Sequence, residues 1–88
     1  MTNDKYHLLD QIYSRLCFHC SIAPERVNHK REKFIASLAC YPEDLLCAAY
    51  HHVSHRLMPA QLPSEDEFIA FMAPEFHRRQ LAECMEAL

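Results

Sequence analysis

The chain has 88 residues and a formal net charge of −3 at pH 7, and 50% of its residues are apolar. This composition excludes an intrinsically disordered chain and argues against a general nucleic-acid binder. Glycine is absent, which excludes glycine-rich phosphate loops, dinucleotide fingerprints and two-residue glycine hairpins. Together with long periodic apolar runs, this absence predicts an all-α protein that forms a single domain over residues 1–88.

The first segment and the cysteines indicate a cytoplasmic protein. Residues 1–10 lack the basic stretch and apolar core of a signal peptide, and no apolar run reaches the length of a membrane span. The five cysteines are irregularly spaced, which predicts free thiols in a reducing compartment rather than a disulfide framework.

Apolar residues at helical spacing predict the first helix, from about Asp4 to Phe18 or Cys20. Its candidate N-caps are Thr2, Asn3 and Asp4. Its apolar face consists of Leu9, Ile12, Tyr13, Leu16, Cys17 and Cys20.

Prolines mark the limits of the next two helices. Pro24 suits the first turn of a second helix, which must end near Cys40 because Pro42 follows closely. Pro42 is then expected at the first helical position of a third helix, with Arg56 in its last turn. The apolar faces are Val27, Arg31, Phe34, Ile35 and Leu38 in the second helix and Leu46, Ala49, Tyr50, Val53 and Leu57 in the third.

A fourth helix has the clearest start in the chain. After an irregular linker over residues 58–63, Ser64 and Glu67 form the S-x-x-E pattern of a capping box. Because proline disrupts a helix interior, Pro74 should either kink this helix or end it. The favoured prediction is that the helix ends near Met72 and that a fifth begins beyond it.

These elements predict a compact, proline-punctuated bundle of four or five short helices. The core is predicted to contain the large apolar residues of each helical face, namely Leu9, Ile12, Leu16, Phe34, Ile35, Leu38, Leu46, Ala49, Val53, Phe68 and Met72.

Two groups of cysteine and histidine could carry metal or redox chemistry. Cys47, His51 and His55 share one face of the third helix, but a ligand eight residues away, about 12 Å along the axis, is too distant to join the other two. Cys17 and Cys20 form a C-x-x-C at the end of a helix, where the dipole raises a thiol pKa, so they are expected in the core. We therefore expect no metal site and no cofactor.

Catalytic residues are not apparent, and we expect that the protein is not an enzyme. The acidic residues lie at helix starts, where capping explains them, and a glycine-free helical chain offers no nucleophile elbow. Two basic groups remain, one on the second helix and one after Pro74. The candidate partner-binding residues from these groups are Arg26, Lys30, Lys33, Arg78 and Arg79, which could contact an acidic protein surface or single-stranded nucleic acid.

The order of features over residues 29–80 resembles the middle region of phage-type helicase-loading replication proteins. These features are the basic segment 30–34, a proline- and acid-started helix with alanines over 42–55, and the Leu62-Pro63-Ser64 turn ahead of Phe68 and Met72. In that family a similar leucine-proline-serine turn opens a helix that bears an aromatic residue. The chain is much shorter than those proteins, so the resemblance implies a free-standing module or a modulator of a replisome component.

The leading hypothesis is a small cytoplasmic helical module that binds another protein, in the DNA replication of a phage or plasmid. One alternative is a metal- or redox-responsive regulator that uses its cysteines and histidines. Another is a homodimer whose exposed apolar face is its own interface. Contact with nucleic acid stays open, and no membrane association is expected.

Overall fold

The computed structural model describes residues 4–86, which form four helices and no strand. Helix α1 spans Asp4–His19, α2 spans Pro24–Leu38, α3 spans Glu43–Ser54 and α4 spans Glu65–Glu86. The all-α bundle is confirmed. The proposed caps Thr2 and Asn3 lie outside the described residues.

Helix α1 ends in a Schellman motif built without glycine. The backbone N–H of Ile22 donates to the Cys17 carbonyl at 3.0 Å, and that of Ser21 donates to the Phe18 carbonyl at 3.1 Å. Ser21 has a φ of 58°, the left-handed conformation that this motif requires and that glycine adopts most easily. The left-handed conformation of Ser21 therefore costs some backbone conformational energy, and it turns the chain toward α2.

The prolines start α2 and α3 in slightly different ways. Pro24 lies in the first turn of α2, as predicted. Pro42 is the N-cap of α3 with extended dihedrals, rather than its first helical residue, so the predicted position is wrong by one residue. Arg56 lies beyond the end of α3, and His51 and His52 occupy its last turn instead.

Ser64 caps α4, but the capping box is only half formed. The Ser64 hydroxyl accepts a hydrogen bond from the backbone N–H of Asp66 at 3.1 Å. Glu67 does not return the interaction to the Ser64 backbone, since its carboxylate accepts a hydrogen bond from the Gln61 amide at 3.5 Å. The hydrogen bond between Gln61 and Glu67 thus connects the linker before α4 to the first turn of the helix.

Helix α4 continues through Pro74, so the predicted break near Met72 is wrong. Pro74 and Ala70 are both exposed, which places the proline ring on the solvent side and leaves the Ala70 carbonyl accessible to water. Glu75 also pairs with Arg78 and Arg79 across the next turn, which stabilises the helix after the proline.

The core lies where all four helices meet. The Phe34 ring packs 4.9 Å from Tyr13 and 5.3 Å from Phe68, centroid to centroid, so one aromatic row joins α1, α2 and α4. All the predicted core residues are buried. Within residues 4–86, the further buried residues are Tyr13, Cys17, Cys20, Tyr41, Leu45 and Pro63.

Helices α3 and α4 are antiparallel neighbours. Phe71 near the start of α4 stacks on His52 near the end of α3, while Phe76 packs on Tyr41 just before α3 begins.

None of the helices described in residues 4–86 is long and apolar enough to cross a membrane.

Candidate functional site: a basic cleft on the second helix

Within residues 4–86, four lysine and arginine side chains have a carboxylate partner, and Arg31 is the most enclosed of the four. Its guanidinium pairs with Asp10, donates to the Ser14 hydroxyl at 3.1 Å and lies 5.5 Å from the Tyr13 ring centroid. The Tyr13 hydroxyl in turn donates to the Val27 carbonyl at 2.9 Å. Arg31 therefore joins α1 to α2 and is not available to a partner.

The basic group after Pro74 is held by carboxylates. Arg79 binds Asp44 at 2.6 Å and Glu75 at 2.9 Å, and Arg78 binds Glu75 at 2.6 Å. Hydrogen bonds from Arg78 and Arg79 lower the pKa of Glu75 to about 2, and a hydrogen bond from Arg79 lowers the pKa of Asp44. Arg79 thus connects the middle of α4 to the start of α3.

Lys33 also has an acidic neighbour. Its ammonium lies 3.5 Å from the Glu65 carboxylate at the start of α4, and its side chain is largely exposed. An exposed pair of this kind contributes little to stability and can be exchanged for a partner's carboxylate at small cost.

Arg26, His29 and Lys30 form the basic group that the fold leaves available. They are exposed and lie within about one turn of α2. Together with Glu25 and Leu62 they line an open cleft of about 410 Å³ between α2 and the linker that precedes α4. Neither Arg26 nor Lys30 makes an ion pair with any residue in the described range 4–86.

This basic cleft, which comprises Glu25, Arg26, His29, Lys30 and Leu62, suits an acidic side chain next to an apolar one. Arg26 offers a planar guanidinium that can bind a carboxylate through two hydrogen bonds, and Lys30 offers a mobile ammonium. Leu62 supplies apolar surface between these cations. An acidic, amphipathic protein surface would satisfy Arg26, Lys30 and Leu62.

Cys47, His51 and His55 do not converge on one point. Cys47 and His51 line a groove with residues of α1, while the His55 ring nitrogen Nδ1 lies 2.7 Å from the His51 carbonyl oxygen. Across residues 4–86, no three His, Cys, Asp or Glu side chains are grouped so that they could hold a metal ion.

Cys17 and Cys20 are buried, as the sequence predicts. Burial raises the pKa of both thiols, and a hydrogen bond with Tyr13 opposes the rise at Cys17. A thiol with a raised pKa is a poor nucleophile at neutral pH, so both residues act as packing groups.

The sequence reasoning missed a second cleft, between α3 and α4. It measures about 600 Å³ and is lined by His52, Arg56, Glu67, Ala70 and Phe71. The His52 and Phe71 rings stack with centroids 4.6 Å apart and planes at 22°. No local pattern joins residues this distant in the chain. The signal in the sequence was Phe71, an aromatic residue next to Met72 that the predicted core does not include.

Comparisons with protein-family models, curated proteins and solved structures gave no match to this chain.

Proposed function

We propose that the protein is a small cytoplasmic helical module that binds another protein through the basic cleft. The observation that supports this proposal is the grouping of Arg26, His29 and Lys30 around Leu62, with no ion pair from Arg26 or Lys30 to a described residue. The other basic candidates, Lys33, Arg78 and Arg79, already have carboxylate partners. We propose an acidic protein surface as the partner.

The partner is proposed to be a component of a phage or plasmid replisome. This part of the proposal rests on the sequence resemblance over residues 29–80. The cleft favours a protein partner over nucleic acid, because Leu62 lies beside its cations and suits an apolar side chain next to a carboxylate. That the protein is not an enzyme stays a prediction.

The proposal is tested by affinity purification from the native host, with and without nuclease. The wild type should retain a partner after nuclease treatment, and the double variant Arg26→Glu/Lys30→Glu should lose it. A matched control, Arg15→Glu/Arg56→Glu, makes the same change in charge at two exposed arginines outside the cleft and should retain the partner.

Three results would contradict the proposal. They are the absence of any retained protein, retention that nuclease abolishes, and equal loss in both double variants. A partner that is retained but is not a replication protein would refute the replisome context and leave the binding site intact.

A further inference from the structure

The basic cleft is one end of a longer row of cations on α2. Arg26, Lys30 and Lys33 follow one another at steps of four and three residues, and all three are exposed. Residues at these spacings lie on one side of a helix, so the three cations form a row about 10 Å long. Arg26 and Lys30 line the cleft, and Lys33 continues the row toward the end of α2. We call these three residues the cationic row of α2.

The linker before α4 runs alongside this row. Leu62 lies with Arg26 and Lys30 in the cleft. Glu65, three residues further along the chain, holds its carboxylate 3.5 Å from the Lys33 ammonium. Apolar surface therefore flanks the first two cations of the row, and a carboxylate of the chain itself occupies the third.

The ion pair between Lys33 and Glu65 is weak and can open without disturbing the fold. Its distance of 3.5 Å exceeds that of a charge-assisted hydrogen bond, and the Lys33 side chain is 67% accessible to water, which screens the attraction. Glu65 also lies in the first turn of α4, where the helix dipole favours its negative charge whether or not Lys33 is near.

The spacing of the cationic row fits a helix better than an extended segment. On a partner helix, three carboxylates at steps of four and three residues have the same rise as the row, so each can meet one cation. Side chains on one face of an extended segment advance about 6.6 Å at a time, so a third carboxylate would lie about 13 Å along, beyond Lys33. An apolar residue beside the carboxylates would pack on Leu62.

We propose that the partner is an acidic, amphipathic helix that binds along the cationic row, and that Glu65 competes with it for Lys33. This inference rests on the proposed function and defines the partner of the same cleft more narrowly. A carboxylate of the partner reaches Lys33 only by displacing Glu65. Glu65 therefore lowers the affinity for an acidic partner.

An NMR titration with designed peptides tests the inference. The first probe is an alanine-based helical peptide with three glutamates at steps of four and three residues and a leucine beside them. The second has the same composition, with its glutamates spread around the helix. The wild type should bind the first probe with roughly millimolar affinity and the second several-fold more weakly. Glu65→Gln should tighten binding of the first probe by roughly two- to fivefold, which corresponds to the loss of one exposed ion pair.

Asp66→Asn is the matched control for Glu65→Gln. Both variants remove one negative charge from the first turn of α4, but Asp66 makes no ion pair with any residue in the range 4–86. Asp66→Asn should therefore tighten binding much less. In a Lys33→Gln background, Glu65→Gln should lose its advantage over Asp66→Asn, because Glu65 then has no cation of the row to occupy. Equal melting temperatures for Glu65→Gln and Asp66→Asn would verify that the two variants fold alike.

The outcomes separate this inference from the proposed function. Equal effects of Glu65→Gln and Asp66→Asn, or an advantage that persists without Lys33, would overturn the competition. Equal affinities for the two peptides would overturn the helical partner. Each of these results leaves the basic cleft in place.

Other results would refute the cleft itself, and this inference with it. They are a first probe that binds neither the wild type nor any variant, and one that binds Arg26→Glu/Lys30→Glu as tightly as the wild type. Tighter binding of a single-stranded oligonucleotide with the same number of charges would assign the cationic row to phosphate recognition and would also refute both.

Discussion

Replacing Ala60 by glycine should make the protein more stable. Ala60 has a φ of 67°, in the left-handed region where the Cβ of an L-residue crowds its own backbone. The residue is held there because its backbone N–H donates to the Cys20 carbonyl at 2.8 Å, which fixes the linker before α4 to the end of α1. Glycine keeps this hydrogen bond and removes the Cβ.

The expected gain is the difference between two opposing terms. The left-handed conformation costs a residue with a Cβ about 1–2 kcal/mol. Glycine also makes the unfolded chain more flexible, which returns about 0.4–1 kcal/mol of that gain. We therefore expect Ala60→Gly to raise the free energy of unfolding by roughly 0.5–1 kcal/mol, or the melting temperature by about 2–8 °C.

Thermal and urea unfolding followed by circular dichroism would measure this change. The matched control is Ala39→Gly, since Ala39 is also exposed but has right-handed helical dihedrals with φ −66°. The control should lose about 0.5–1 kcal/mol, because there glycine adds only flexibility. If Ala60→Gly is destabilised as much as Ala39→Gly, the backbone argument is refuted.

The remaining predictions concern the core, the ion pairs and the thiols. Phe34→Ala should cost about 3–5 kcal/mol in urea denaturation, whereas Phe18→Ala, at a side chain that is 88% exposed, should change stability by less than about 0.5 kcal/mol. Similar costs for the two would contradict the packing described above. Because folding lowers the pKa of Glu75 from 4.5 to about 2, its stabilising contribution is present above pH 4.5 and is lost as the pH falls toward 2. Glu75→Gln should therefore lower stability at neutral pH and flatten its decline over this interval, and an unaltered acid profile would argue against the pairing. In the folded protein, iodoacetamide should modify Cys17 and Cys20 slowly, since both are buried, with rapid labelling confined to three exposed thiols, namely Cys40, Cys47 and Cys84. Labelling of all five at one rate, read by mass spectrometry, would show that the end of α1 opens readily.

Most of the fold could be predicted because its signals are local. Apolar residues at helical spacing identified the buried faces, and Pro24 and Ser64 marked where α2 and α4 begin. Pro74 misled the prediction, because a proline is tolerated within a helix when its ring and the carbonyl it frees both face solvent. The orientation of Pro74 relative to the core depends on how α4 packs.

The candidate site was only partly predictable for a related reason. The basic residues of α2 and α4 are visible in the sequence, and Glu75 lies within about one turn of its partners Arg78 and Arg79, but the other acidic partners are distant in the chain. Arg31 is neutralised by Asp10, Lys33 by Glu65, and Arg79 in part by Asp44. These pairings between elements separate Arg26 and Lys30 from the other candidates.

The sequence by itself therefore determined the helical class, the apolar faces and the start of most helices, because helix periodicity and capping depend on residues a few positions apart. Only the tertiary structure decided which cations stay available to a partner. This depends on the distances between helices, and these are set by how the buried faces pack together.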